Sequence, residues 1–349
     1  MANLPLCKYR YALFVSYFGT RYQGSQRLIL RGTNGDENTI QEAIEAGLES
    51  FLVAKRCRLT AASRTDKGVH AFMNTFTLPL MDYGMPTEVL KSRLNKYLAR
   101  KGHDILVNEV VLTPAAFHPR CSVTSREYIY RIAVPDKHKT IGFKLDHRYP
   151  DLLGLLPLTE LHRVSTVPTI DFDKAQKVMD LMNGRHDFAS FTTTLNESSK
   201  GTVRTIDIDL VPEEPNTNHP DQHRICPLQF YRFSVKSEAF MHNQVRRMIG
   251  AILSYATYDK VKFREIERLL QNPHPSTWDG KCLIADACGL YLNKMTFSKE
   301  LFDGTIKTYE DHSEELLTNI YTGENVIADK SDDVDDDEDD KRAGAQNTD

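Results

Sequence analysis

The chain has few of the patterns by which cysteine or long apolar runs identify a protein class. Its six Cys residues are scattered through 349 residues, and none belongs to a C-x-x-C pair, which argues against a zinc site and against a disulfide framework. No apolar run approaches the roughly 20 residues that a transmembrane helix needs. The N-terminal MANLPLCKYRYALFVSYF also lacks the layout of a secretory signal. We therefore expect an intracellular protein with no membrane segment, in the cytoplasm, the nucleus or the mitochondrion.

Motifs for cofactor-dependent or metal-dependent chemistry are missing as well. The sequence contains no phosphate-binding G-x-x-x-x-G-K-[ST], no G-x-G-x-x-G, no H-E-x-x-H and no G-x-S-x-G. Twelve His residues are present, but none is spaced from Cys or carboxylates as metal ligands are. His242 in particular is interpreted as a residue on the polar face of a helix. These absences predict an activity that uses neither a metal ion nor a cofactor.

The net negative charge of the chain comes from its C-terminal end. The residues from Asn325 onward hold ten acidic and three basic side chains, and residues 301–324 hold six and one. Residues 1–300 therefore carry +8, although the whole chain carries −4. A basic body suits a polyanionic partner, and the run DKSDDVDDDEDDKR predicts that the chain is disordered from about residue 325.

The first 114 residues predict the order strand, helix, strand, strand, helix, strand. The clearest signal is a capping box, in which Thr39 and Glu42 precede an apolar stripe of helical period. The strands alternate and are rich in aromatic and β-branched residues. The expected strands are 11–17, 57–63, 72–78 and 105–113, and the expected helices are 39–52 and 87–100.

Residues 115–300 repeat this alternation, and residues 301–349 form an acidic C-terminal extension. The expected strands are 126–134, 202–211, 228–237 and 289–297, and the expected helices are 171–182, 239–258 and 262–272. Three stretches are interpreted as insertions in loops at the rim, at 27–38, 141–170 and 212–227. The pattern predicts an α+β protein with two halves, 1–114 and 115–300, whose antiparallel sheets could join side by side.

The run SRTDKGVHA, residues 63–71, sets one carboxylate among cations. Asp66 follows Arg64 by two residues, precedes Lys67 directly and shares the run with His70. Nearby positive charge, Arg64 foremost, favours the ionised form of a carboxylate. A surface ion pair in a Gly-containing turn explains the same pattern, so the run alone leaves both readings open.

Five blocks, in order over roughly residues 9–297, resemble the TruA-type tRNA pseudouridine synthases. SRTDKGVHA is very similar to the [GS]RTDxGVHA signature of that family. The other blocks are YFGTRYQGSQ with NTIQEAIEAGL, FHPRCSVTSREYIYRI, GRHDFASF, and EAFMHNQVRRMIGAIL with ADACGLYL. Ser25 departs from the usual Trp of the first block. HNQVRRMIG is closer to the eukaryotic branches, including the synthase-like group.

The resemblance implies a fold and an activity. The fold would be two ferredoxin-like, RRM-like half-domains that form a continuous mixed or antiparallel sheet, with a central cationic cleft for folded RNA. The activity would be isomerisation of uridine to pseudouridine in tRNA, usually in the anticodon stem-loop, without a cofactor. Two alternatives stay open: a catalytically silent RNA-binding or tRNA-folding protein on the same scaffold, and a synthase acting on messenger RNA or another RNA. Monomer and homodimer are both compatible with the sequence.

The resemblance also assigns roles to residues of the cleft. Asp66 becomes the catalytic carboxylate, as a nucleophile or as a base. Arg246, from the other half, pairs with Asp66 across the cleft. Tyr128 and Leu290 sandwich the target base, which must leave its stack to reach the site.

Contacts to the RNA backbone are expected from cationic side chains of the same cleft. The candidates are Arg21, Lys67, Arg93, Lys96 and Arg100. His70 is expected either to contact RNA or to be a buried polar residue that holds the loop. Gly68 is expected to allow the turn after Asp66.

Overall fold

The computed structural model describes residues 9–27, 38–52, 57–79, 85–114, 116–136, 152–193, 201–214 and 226–297. These residues belong to one compact unit. The acidic extension at 301–349 lies outside the described residues, as do most of the insertions at 27–38 and 212–227 and the first part of the insertion at 141–170. Within the described ranges, no helix is long and apolar enough to cross a membrane.

One mixed sheet, with ten strands in the described residues, is the main element of the fold. The strands are β1 (Tyr9–Tyr17), β2 (Thr60–Ala61), β3 (His70–Thr77), β4 (Ile105–Pro114), β5 (Val123–Pro135), β6 (Ser165–Thr166), β7 (Gly184–Asp187), β8 (Val203–Glu213), β9 (Leu228–Ser237) and β10 (Leu290–Phe297). Their order in the sheet is β4-β1-β3-β10-β5-β9-β8-β7, and β2 pairs with β3 and β6 with β5.

Strands from before and after residue 115 occupy different stretches of this sheet. They meet where β3 and β10 run parallel, with His70 paired to Tyr291 and Ala71 to Leu292. On its other side β10 pairs antiparallel with β5, where Leu292 lies opposite Tyr128. Strand β10, the last of the described chain, therefore lies between β3 of the first half and β5 of the second half. The sequence predicted the sheets of these two halves separately. The α+β class and the single mixed sheet agree with the prediction.

Five helices form in the described residues, and local sequence explains most of their ends. They are α1 (Ile40–Glu49), α2 (Thr87–Arg100), α3 (Phe172–Met182), α4 (Gln244–Ala256) and α5 (Phe263–Gln271). The capping box of α1 is confirmed: the backbone N–H of Glu42 donates to Thr39 Oγ1 at 3.2 Å, and that of Thr39 donates to Glu42 Oε2 at 3.1 Å. Helix α2 matches its predicted span and buries three leucines at helical spacing, Leu90, Leu94 and Leu98.

The prediction for α4 is wrong at its start. The sequence predicted a helix over 239–258, but the helix begins at Gln244. Asn243 has φ of 59° and ψ of 5°, which is a left-handed conformation. A right-handed helix cannot run through such a residue, so α4 begins after it. His242 therefore precedes the helix and is not a residue of its polar face, as the sequence suggested.

The described part of the insertion at 141–170 does more than form a rim loop, so that prediction is also corrected. Glu160 is fully buried, and its Oε2 lies 2.7 Å from Nη1 of Arg131 in β5. Glu213 Oε2 lies 2.7 Å from Nε of the same guanidinium. A buried cation needs paired carboxylates, since an uncompensated charge in the interior is strongly destabilising. The insertion thus supplies a charge partner that the core requires.

Candidate active site

Asp66 lies in the loop between β2 and β3, and a buried network holds that loop from the inside. The hydroxyl of Thr65, which precedes Asp66, is 2.8 Å from the hydroxyl of Tyr17. Asn74 donates from Nδ2 to Tyr17 Oη at 3.0 Å. The backbone N–H of Thr65 donates to Ser25 Oγ at 2.8 Å. Because these groups are buried and hydrogen-bonded to each other, they define the backbone position from which Asp66 projects.

The first loop of the chain packs directly on this backbone. The N–H of Ser25 donates to the carbonyl oxygen of Thr65 at 3.0 Å, so Ser25, which replaces the usual Trp, bonds Thr65 in both directions. At Gly24, with φ of +118°, an added Cβ would lie 2.9 Å from that same oxygen. Gly68 has φ of +78° and occupies the turn after Asp66, as its sequence position predicted.

Each oxygen of the Asp66 carboxylate faces a nitrogen from the segment that starts α4. His242 Nε2 is 3.5 Å from Oδ1, and Arg246 Nη1 is 3.9 Å from Oδ2. Arg246 is anchored by its Nε, which donates to Ala285 O at 2.7 Å, and by Nη1, which is 3.3 Å from Asn243 Oδ1. The structure therefore places one guanidinium and one imidazole opposite the carboxylate.

His242 is a site residue that sequence reasoning missed. Its Nδ1 is 2.8 Å from Thr193 Oγ1, which directs Nε2 toward Asp66. The imidazole is 54% exposed, so its contact with the carboxylate remains open to solvent. No local pattern carries this information, because the contact depends on the turn at Asn243 and on a Thr that is distant in the sequence.

Tyr128 and Leu290 line the cleft beside Asp66, from the adjacent strands β5 and β10. The Tyr128 hydroxyl is 3.1 Å from Ser63 Oγ, and the ring meets that of Phe240 edge to face at 5.1 Å between centroids. Burial raises the pKa of Tyr128, and the hydrogen bond to Ser63 offsets this only in part. The phenol is therefore protonated at neutral pH and can donate or accept a hydrogen bond.

Asp66, Tyr128, His242, Arg246 and Leu290 all line one cleft of about 940 Å³. Of the sequence-predicted site residues, its wall includes Arg64, Asp66, Lys67, Tyr128, Arg246 and Leu290. Arg64 and Lys67 are exposed, and in the described part of the chain Arg64 makes no ion pair with Asp66. The nitrogen atoms that face the carboxylate belong to His242 and Arg246, at the start of α4, and not to its own loop.

Four of the predicted RNA contacts lie outside the lining of this cleft. Arg21 forms an ion pair with Asp104, with Nε 3.0 Å from Oδ2, and also bonds the carbonyl oxygen of Gly102. The other three are exposed side chains of α2: Arg93, Lys96 and Arg100. The structure does not bring these four together with Asp66.

His70 is fully buried, which matches the second of its two expected roles. The N–H of Gly19 donates to its Nδ1 at 3.0 Å, so Nε2 carries the proton and donates to Cys288 O at 3.1 Å. Burial lowers the pKa of His70 to about 4, more than the bond to Cys288 raises it. The imidazole is therefore neutral and holds the end of the Asp66 loop.

The cleft wall also contains two arginines that the sequence reading did not single out, Arg120 and Arg126. A signal for Arg126 was present: it precedes Tyr128 by two residues in the same strand, and residues two apart share one face of a strand. Arg120 lies in the irregular segment before β5, where no periodicity indicates which way a side chain points.

This arrangement suits chemistry at a carboxylate beside a flat, partly apolar surface. The Asp66 side chain is 35% exposed and so can be reached from the cleft. Beside it, Tyr128 with Leu290 offers an aromatic and apolar platform of the kind that receives a base. Among the described residues, no group of three or more His, Cys, Asp or Glu side chains could hold a metal ion.

Comparisons with known proteins give a consistent result. Residues 178–298 match a family described as tRNA pseudouridine synthase. The chain is 30% identical to tRNA pseudouridine synthase A of Bacillus sp. strain KSM-64 over 287 residues, which are 82% of this chain and 99% of the relative. It is 29% identical to human tRNA pseudouridine synthase-like 1 over 82% of this chain and 90% of the relative. The Xenopus laevis protein of the same name is 26% identical, over 85% and 93%.

Proposed function

Because the chain belongs to the TruA-type family of tRNA pseudouridine synthases, which are isomerases, we propose that it converts uridine into pseudouridine in tRNA. Asp66 is the catalytic carboxylate in this proposal. The observation that carries it is the position of Asp66, which projects from a rigid loop into a cleft and faces His242 and Arg246. Relatives that share most of this chain's length are named for the same reaction.

The chemistry of the reaction fits a site with one carboxylate and no electron acceptor. The bond from the ribose C1′ to N1 of uracil breaks, the base turns, and C1′ joins C5. C5 loses a proton and N1 gains one, so the reaction needs no net oxidation. Asp66 either attacks C1′ or the ring as a nucleophile, or removes a ribose proton as a base. Both routes use a deprotonated carboxylate, and Arg246 lies opposite it with Nη1 3.9 Å from Oδ2.

The target base must leave its stack before Asp66 can reach the sugar, at a cost of a few kcal/mol. Tyr128 and Leu290 line the cleft next to Asp66, and we place the turned base between them. The neutral hydroxyl of Tyr128, shared with Ser63 at 3.1 Å, can exchange a hydrogen bond with the base edge. The sandwich supplies the stacking that the base gives up in the RNA.

We further propose that the two halves act as half-domains with a cationic cleft between them. Strands from residues 9–114 and 123–297 meet at β3 and β10, close to the loop that carries Asp66. Arg64 and Lys67 are exposed in the cleft wall and reach the RNA backbone there. Outlying parts of a tRNA contact the cations outside the cleft lining, Arg21, Arg93, Lys96 and Arg100. The anticodon stem-loop is the proposed position of the target uridine.

The proposal is tested by mapping pseudouridine in total RNA from cells that lack the protein. Carbodiimide-stop sequencing should show tRNA sites that disappear in these cells and return with the wild-type chain. Asp66→Asn should not restore them, although the purified variant should still bind tRNA. Asp173→Asn, which removes an exposed carboxylate on α3, is the matched control and should restore every site.

Two other outcomes would replace the proposal. If no site changes in any RNA, the chain is an RNA-binding protein on this scaffold and not a synthase. If the changed sites lie only in messenger RNA, the reaction stands but its substrate is a different RNA.

A further inference from the structure

Arg120 and Arg126, the two cleft arginines that the sequence reading missed, are both tied to the backbone that leads into the Asp66 loop. Arg120 Nε donates to Ala61 O at 3.0 Å, and Arg126 Nη2 donates to the next carbonyl, Ala62 O, at 3.3 Å. Arg126 Nη1 also donates to Glu238 O at 2.8 Å. Backbone oxygens therefore orient both guanidinium groups, which both line the cleft.

Their electrostatic environment lacks the usual compensation. Within the described residues, neither Arg120 nor Arg126 forms an ion pair with a carboxylate. Although Arg120 is exposed overall, partial desolvation in the cleft lowers its pKa, and the charge of Arg64 lowers it further. Burial lowers the pKa of Arg126, Tyr128 offsets this in part, and the charge of Arg120 adds to the lowering. Three cations thus converge on one stretch of the cleft wall, where they repel each other until an anion arrives.

We propose that Arg120 and Arg126 form a phosphate-binding site for the RNA strand next to the nucleotide that reaches Asp66. The proposal rests on the proposed function, since it names how the same cleft holds its RNA. A guanidinium has five N–H groups. Two of those on Arg126 and one on Arg120 are used by backbone oxygens, which leaves both side chains enough donors for a bidentate contact.

The position of the pair decides which phosphate it takes. Arg126 and Tyr128 lie on one face of β5, roughly 7 Å apart along the strand, and Tyr128 is the platform for the turned base. An anion bound by Arg126 therefore lies directly beside that base. Phosphate contacts of this kind set register and orientation and carry no sequence information, which suits a pair whose role is to present the uridine to Asp66.

The salt dependence of RNA binding tests the site without any need for turnover. We would measure the affinity of an unmodified tRNA transcript for wild type, Arg120→Gln, Arg126→Gln and the double variant, over a range of KCl concentrations. Each lost phosphate contact should reduce the slope of log affinity against log salt by about 0.7 to 0.9. Arg264→Gln, which removes an exposed charge on α5 outside the cleft, should leave the slope at its wild-type value.

A second measurement identifies the phosphate. Methylphosphonate linkages, which remove one charge at a time, are placed on either side of the target uridine. Wild type should lose affinity at one or two of these positions, and the double variant should lose nothing further there. Arg120→Gln alone keeps the test valid if Arg126→Gln unfolds, because Arg120 is exposed and loses only one backbone hydrogen bond.

The results separate this site from the proposed function. Slopes of Arg120→Gln and the double variant that equal the slope of Arg264→Gln would overturn the phosphate site, even if uridine is converted normally. Reduced slopes together with no pseudouridine in any RNA would support the phosphate site while the synthase proposal fails.

Discussion

The two walls that meet at Asp66 are held in different ways. The wall that carries Asp66 is held by buried side chains. The Tyr17 hydroxyl bonds to Thr65 and accepts from Asn74, and the loop ends at the fully buried His70. These groups satisfy one another's hydrogen bonds away from water, so removing one leaves a buried partner unsatisfied.

The opposite wall, at the start of α4, is held by a backbone turn and by side chains that bond to backbone groups. Asn243 turns the chain in a left-handed conformation, and Arg246 reaches across from the first helical turn to Ala285 O. The functional side chains of this wall are partly exposed, at 54% for His242 and 21% for Arg246. One set of contacts therefore positions the carboxylate of Asp66, and a different set positions the side chains opposite it.

The comparison predicts that changes in the opposite wall mainly affect rate. Arg246→Gln should lower kcat about 100-fold, because it removes a positioned charge opposite Asp66, the proposed catalytic carboxylate. The free energy of unfolding should fall by about 1 to 3 kcal/mol, the usual range for the two hydrogen bonds lost, to Ala285 O and Asn243 Oδ1. Arg246→Lys keeps the charge without the fixed guanidinium geometry, so its kcat should lie between those of the wild type and Arg246→Gln. Single-turnover kinetics and urea unfolding measure both quantities.

If Arg246→Gln instead lost several kcal/mol in stability and kept its kcat, the wall at the start of α4 would control stability and not rate.

Changes in the loop wall should mainly affect stability, and His70 provides a test by pH. Its pKa in the folded protein is about 4, against an ordinary value of 6.5, so the folded state excludes a proton that the unfolded chain binds. The contribution of His70 to the free energy of unfolding is therefore fully present above pH 6.5 and is lost as the pH falls toward 4. Between pH 7 and pH 5 the His70 contribution should fall by about 2 kcal/mol.

His70→Gln, which cannot take up a proton there, isolates this contribution from that of other titrating groups. Urea unfolding of both proteins at pH 7 and pH 5 should show a smaller loss for the variant by about 2 kcal/mol. Equal losses would mean that His70 does not couple loop stability to pH.

The smallest effect is expected at His242. Its contact with Asp66 is 3.5 Å long and open to solvent, and exposed ion pairs contribute up to about 1 kcal/mol. His242→Ala should therefore lower kcat by about two- to five-fold at unchanged KM. His242→Gln, whose amide can donate to Asp66, should recover part of the loss. A fall in kcat as large as that of Arg246→Gln would place His242 among the groups that touch the substrate.

Elements that depend on nearby residues were predicted well. Helix α2 matches 87–100 and β9 matches 228–237 because their apolar periods are long and regular. The capping box at Thr39 and Glu42 is equally local. The start of α4 was missed because a left-handed Asn leaves no distinct sequence signal, whereas Gly would have indicated it.

The site residues show the same distinction between local sequence signals and long-range contacts. The SRTDKGVHA run pointed to Asp66 through its composition and its resemblance to a family signature. Local sequence also suggested that Arg64 faces the carboxylate, yet the groups opposite it are His242 and Arg246, far along the chain. Arg64 and Asp66 lie in an irregular part of the loop, where no periodicity fixes the direction of neighbouring side chains, so closeness in sequence does not ensure contact.

The sequence by itself determined the α+β class, the order of strands and helices, the basic body with its acidic end, and the carboxylate of the site. Each of these follows from local pattern or composition, except the carboxylate, which also needed the resemblance to a family signature. Only the tertiary structure decided that β10 joins β3 to β5, that Glu160 balances Arg131, and which cations surround Asp66. These contacts join residues far apart in the chain, and only the folded chain brings the partners within pairing distance, so no local pattern indicates them.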